Sequence, residues 1–143
     1  MSHRYLKDPH WYCAIFIAFV FWLAFHYLVQ PASPRNLFET PEILLISILL
    51  YPILEEIVFR GLIQRQLILR SRWRARFWGV SGANVLTSLL FAGLHFVHQS
   101  PAMAALVIFP SLVFGYFRDR HHNVFPSIWL HIFYNGGFLY LFS

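Results

Sequence analysis

Two adjacent carboxylates, Glu55 and Glu56, close an apolar run that begins at Ile43 and reads Ile-Leu-Leu-Ile-Ser-Ile-Leu-Leu-Tyr-Pro-Ile-Leu. A helix on an aqueous surface carries a Glu-Glu pair at no cost. Inside a membrane-like segment ionisable groups are expensive, and they mark a functional site by default. Arg60 follows Glu56 by four residues, so the two share a helix face with the acid N-terminal to the base, the better order. Arg60 is therefore placed to neutralise Glu56. Glu55 lies about 100° round the helix from Glu56, is not opposed by Arg60 in the same way, and by its spacing can point at other helices. The plain alternative is a helix end whose acids and Arg60 reach out to lipid headgroups.

Two further apolar segments carry polar groups at depth. His95 follows Phe91 by four residues, and His131 precedes Asn135 by four, which puts each pair on one helix face. One histidine on an apolar helix is usually a satisfied core residue. Three segments with such groups must bring them to one another, because lipid offers no partner. The set suffices for hydrolysis. A buried carboxylate beside a histidine holds and deprotonates a water, apolar surroundings make that carboxylate a better base, and a second histidine with an asparagine one turn away supplies N–H donors where an oxyanion would develop. The chain has no Gly-x-Ser-x-Gly elbow, no His-Glu-x-x-His and no paired aspartates for other hydrolytic chemistries. A non-enzymatic reading stays open, in which the same groups form the polar network of a membrane scaffold or proton-binding subunit.

The elements that must position these residues are read from hydropathy. Only 12% of the 143 residues are charged and 58% are hydrophobic, with a mean hydropathy of +0.55. Soluble domains carry roughly twice that charge fraction. The expected fold is all-α, a polytopic transmembrane helical bundle of about five spans: 11–29, 42–66, 77–98, 101–117 and 124–142. Residues 1–41 form a leader, first span and external loop, and residues 42–143 the core that carries the motifs. Proline breakers (Pro31, Pro34, Pro41) and a Thr40 cap delimit the second span. Pro52 is expected to kink it just before the acids. Residues 118–123 read as a tight polar turn. Aromatics gather near segment ends, Trp11, Trp73 and Trp78 among them, as interfacial belts do. His98 reads as structural or interfacial.

One depth mismatch bears on the third span. His131 lies roughly 10 Å in from residue 124, whereas His95 lies roughly 27 Å in from residue 77. The depths agree if residues 77–83 sit at the interface and the helix starts near Asn84, with Ser81-Gly82 as the break.

The net charge of +5 is not a nucleic-acid signature, because the basic residues sit between apolar segments. Arg4, Lys7, Arg118, Arg120 and the arginines of 65–76 fall on one side of five alternating spans, and Arg35 on the other. The positive-inside rule then makes the N-terminus cytoplasmic and the C-terminus external. The single cysteine, Cys13, excludes an internal disulfide and a cysteine-based metal site, and reads as a small packed side chain.

Glu-Glu-x-x-x-Arg at 55–60, Phe-x-x-x-His at 91–95 and His-x-x-x-Asn at 131–135, in that order and each on an apolar segment, resemble the three signature motifs of the CPBP family. This is the family of CAAX prenyl proteases and bacteriocin-processing enzymes, also called Abi. The resemblance covers about residues 42–143 and is to a minimal bacterial form, integral to the inner membrane. It implies an intramembrane endopeptidase in which Glu55 and His95 activate water, His131 and Asn135 form the oxyanion hole, and Glu56 and Arg60 support the site. The implied substrate is a membrane-anchored peptide or protein: a C-terminal sorting tail, a leader peptide or a CAAX-like tail. The bilayer is the other partner. Nucleic acid is not one, and oligomeric state is unassigned. The expected chemistry needs no cofactor. The alternative is a zinc-dependent form with Glu55, His95 and His131 as ligands.

Overall fold

The computed structural model describes residues 4–29 and 41–142. The 30–40 part of the expected connection, with Pro31, Pro34, Arg35 and Thr40, lies outside the described residues, as does Ser143. Among the described residues the fold is all-α apart from one hairpin of two two-residue strands. Its helices are α1 (Pro9–Val29), α2 (Pro41–Leu45), α3 (Tyr51–Glu56), α4 (Arg65–Ile68), α5 (Gly82–His95), α6 (Pro101–Leu106), α7 (Ile108–His121) and α8 (Phe125–Phe142). Two π-helical stretches, Ile46–Leu50 and Ile57–Gln64, lie between α2 and α3 and between α3 and α4. The chain divides into two compact units, one of Met1–Ile53 with Leu130–Ser143 and the other of Leu54–Trp129.

Among the described residues, two helical stretches are long and apolar enough to cross a bilayer, Pro9–Tyr27 and Pro101–His121. The other expected spans do not meet that standard as single regular helices. The 14 residues of α5 rise only about 21 Å at 1.5 Å each, and 41–68 changes helical type four times.

In the first unit α1 presents Trp11, Ala14, Ala18, Trp22 and Phe25, all buried, along one stripe spaced by three and four residues. Against it lies the part of α8 from Leu130 onward. The small Ala14 and Ala18 permit a close approach, and the Tyr134 hydroxyl donates to the Ala14 carbonyl at 2.8 Å. Trp22 rests on Gly137, where a Cβ would come within 2.1 Å of its ring. Phe25 packs on Phe138 and Phe142 with centroids 5.0 and 4.9 Å away. Cys13 is exposed, not packed as expected, because it falls off the buried stripe.

In the second unit the third segment starts later than hydropathy suggests. Residues 76–81 form a hairpin, β1 (Arg76–Phe77) against β2 (Val80–Ser81), with Arg76 opposite Ser81 and Phe77 opposite Val80. Its two-residue turn, Trp78-Gly79, has positive φ at both positions, 53° and 81°, the pairing that suits a tight hairpin. Ser81 then caps α5, its hydroxyl accepting from the Asn84 backbone N–H. The helix thus begins at Gly82, close to the start that equal histidine depths require.

At the other end of this unit α7 runs four residues past Phe117, so Arg118 to His121 are helical and not a turn. The break falls at His122, which is left-handed with φ 53°. Pro110 explains why α6 and α7 are separate. It has no N–H to give to the carbonyl of Leu106 and its ring crowds that carbonyl.

Candidate active site

The second span carries the acids on a helix of unusual type. Glu55 and Glu56 end α3, with π-helical turns before and after it, a pattern that recurs at functional sites. Glu56 and Arg60 are both fully buried. The Arg60 Nε lies 3.3 Å from Glu56 Oε2, the i,i+4 pair that spacing anticipated. Glu55, one residue earlier, is half-buried.

Arg60 is the hub of a network that extends through the second unit. It donates to Gln64 Oε1 at 3.1 Å, to the Ser111 carbonyl at 2.8 Å, to the Ser111 hydroxyl and, at 3.5 Å, to Ser88. Gln64 donates in turn to the Gly115 carbonyl and to Asp119 Oδ1 at 2.9 and 2.8 Å. The Ser81 hydroxyl donates to the other Asp119 oxygen. Asn84 bridges α5 to α7 through the Leu112 carbonyl and accepts from Ser88. Gly115 leaves room for this bridge, since a Cβ there would stand 1.8 Å from Asn84 Oδ1. A buried polar network is stable only when its members are satisfied. Here both Asp119 oxygens are hydrogen-bonded, Glu56 meets Arg60 as an ion pair at 3.3 Å, and the Nε of the half-buried Arg118 donates to the Arg60 carbonyl at 3.1 Å.

Sequence reasoning missed Gln64, Asp119, Ser81, Asn84 and Ser111. One signal was present: Gln64 continues the 56, 60 spacing by another four residues, on the same face.

Phe91 joins this network to His95. Its ring lies beneath the Arg60 guanidinium at 5.9 Å, meets Phe59 edge-on at 4.9 Å and lies 4.7 Å from the His95 ring. Its carbonyl lies 2.9 Å from His95 Nδ1. A carbonyl only accepts, so Nδ1 carries the proton and the Nε2 lone pair of the neutral ring is the basic one. Phe91 therefore packs and orients. His95 is half-buried, and His98 is exposed, beyond the helix end.

His131 and Asn135 belong to the first unit, on α8. His131 is 5% exposed. Asn135 Nδ2 donates to the Ser47 carbonyl at 3.3 Å, and the local chain explains why that carbonyl is available. The stretch Ile46–Leu50 is π-helical, and the Tyr51 N–H reaches back five residues to Ile46. By the same register Ser47 would accept from residue 52, which is proline and has no N–H. Asn135 supplies the missing donor with one amide hydrogen and keeps a second.

Glu55, Glu56, Arg60 and His95 thus lie in one unit, and His131 and Asn135 in the other. Among the described residues no three His, Cys, Asp or Glu side chains gather as a metal site.

No curated protein and no solved structure matches the chain. A family model described as "Type II CAAX prenyl endopeptidase Rce1-like" matches residues 37–137. That span holds every motif residue, and with more than half of the sequence matched the chain belongs to this family of membrane proteases.

Proposed function

We propose that the chain is an intramembrane endopeptidase that hydrolyses a peptide bond in a membrane-anchored substrate with a glutamate-activated water. The observation that carries this reading is the division of labour between neighbouring acids. Glu56 is sealed at 0% exposure against Arg60, whereas Glu55 is half-buried on another face. Glu55 takes a proton from water as the oxygen attacks the scissile carbonyl carbon. His95, its Nδ1 held by Phe91, offers Nε2 to the same water. His131 and the second amide hydrogen of Asn135 donate to the oxyanion of the tetrahedral intermediate. The proton on Glu55 then passes to the leaving nitrogen as the C–N bond breaks. In this reading α1, 41–68, α5, α6 with α7, and α8 are the five membrane segments of a bacterial inner-membrane protein with a cytoplasmic N-terminus and an external C-terminus.

Glu55, His95 and His131 are the donors a zinc ion would take in the alternative form. A bound zinc would polarise the carbonyl and lower the pKa of its water. Metal-binding histidines and carboxylates are normally backed by an outer acid. The acid adjacent in sequence, Glu56, is engaged by Arg60, which favours the metal-free form.

The test is cleavage in proteoliposomes of three peptides: a prenylated CAAX-like tail, a leader peptide and a C-terminal sorting tail. Cleavage of at least one, insensitive to a zinc chelator, is expected. Loss on chelation with recovery on added zinc would move the assignment to the zinc form. Failure on all three would leave the scaffold or proton-binding role as the better account.

A further inference from the structure

The second unit holds a cavity of about 580 Å³ that the chemistry above does not use. Three guanidiniums line it from three elements: Arg65 on α4, Arg76 on β1 and Arg118 on α7. Among the described residues Asp119 is the one acid in the lining. Both its carboxylate oxygens are engaged inside the protein, by Gln64 and by Ser81, and its backbone carbonyl accepts from Arg76 at 3.4 Å. The cavity therefore has a formal surplus of two positive charges, and its acid is turned away. Arginine forks match phosphate oxygens two at a time, so the complement is a phosphate.

Two observations say that the phosphate belongs to a lipid. The cavity also has an apolar side, Ile68, Leu69 and Val124, which suits an amphiphile better than a free ion. The residues that follow Arg76 at the hairpin tip are large and bare: Phe77 is 79% and Trp78 90% exposed. Exposed aromatic residues beside arginines are what a chain presents at the headgroup level of a bilayer.

We propose that this cavity is a binding site for the phosphate of an anionic phospholipid. The arginines hold the headgroup, Leu69 and Val124 meet the glycerol and the first methylenes, and the 76–81 hairpin lies at the interface beside it. Basic pockets on the cytoplasmic side of membrane helices bind anionic headgroups in this manner. Binding needs no catalysis, so the site stands or falls independently of the protease reading.

The experiment is native mass spectrometry of the purified full chain in a neutral detergent, titrated with phosphatidylglycerol, phosphatidylcholine or inorganic phosphate. One retained phosphatidylglycerol per chain is expected, with phosphatidylcholine and inorganic phosphate failing to displace it. Arg65→Gln/Arg76→Gln should weaken retention roughly 30-fold, at about one surface arginine's contribution for each. Arg65→Gln alone, at an exposed position, should weaken it roughly fivefold and serves if the double variant does not fold. Arg72→Gln, an exposed arginine outside the cavity, should bind as the wild type does. Equal retention of phosphatidylcholine, displacement by inorganic phosphate, or an Arg72→Gln loss as large as that of Arg65→Gln would overturn the proposal.

Discussion

Asn135 shows how much one side chain does here. It repairs the carbonyl that Pro52 leaves without a donor, and in the proposed mechanism it also faces the oxyanion. Asn135→Ala removes both contributions. Turnover is expected to fall about 100- to 1,000-fold through the lost oxyanion donor. The stranded Ser47 carbonyl should also cost about 1 kcal/mol or more of stability. Pro52→Ala separates the two roles, because residue 52 can then donate to Ser47 itself. The double variant Asn135→Ala/Pro52→Ala should recover melting temperature without recovering turnover. Recovery of both would reduce Asn135 to a structural residue. Arg60→Ala is a different kind of change. It leaves Glu56 buried without its cation, a loss of about 3–5 kcal/mol, and the measurable outcome is low yield and early thermal unfolding before any activity is assayed. Arg60→Lys should not rescue it, since one ammonium cannot serve Glu56, Gln64, Ser88 and Ser111 from the guanidinium's fork.

At the scale of elements, the parts legible in the sequence were those that rest on local spacing. The Glu56–Arg60 pair follows from four residues on one helix, and the late start of α5 follows from Ser81-Gly82 and the need to match histidine depths. What could not be read depends on partners far along the chain or on helical register. Asp119 sits between Arg118 and Arg120 and looks like part of a solvated turn. It is buried because α7 continues to His121 and turns it toward Gln64 and Ser81. No spacing rule announces a π-helical stretch, so the bond from Asn135 to a backbone carbonyl 88 residues away had no signature beyond Pro52 itself. The helix contacts also rest on two glycines. Gly115→Ala drives a methyl into Asn84 and Gly137→Ala drives one into Trp22. Each should lower stability by about 1–3 kcal/mol or more, visible as a drop in melting temperature. Gly93→Ala, where a Cβ meets nothing within 4 Å, should not lower it and should raise it slightly, because alanine loses less backbone entropy in a helix.

For the whole molecule, the family is established, and the proposed topology and the role of Glu55 give it direction. The orientation is checked by impermeant thiol labelling in intact cells. Cys13 is exposed and is first replaced by serine, and Arg70→Cys is then introduced. No labelling without permeabilisation is expected, and labelling in intact cells would reverse the assigned sidedness. The central claim is that Glu55 is the base that activates water while Glu56 holds the fold. Its most direct test is the rate of peptide cleavage by Glu55→Gln in proteoliposomes, with melting temperature read on the same preparation. Glutamine keeps the shape and the hydrogen bonding but cannot accept the proton. The expected result is cleavage at background with a melting temperature within a degree or two of the wild type. Cleavage by Glu55→Gln at the wild-type rate would contradict the account.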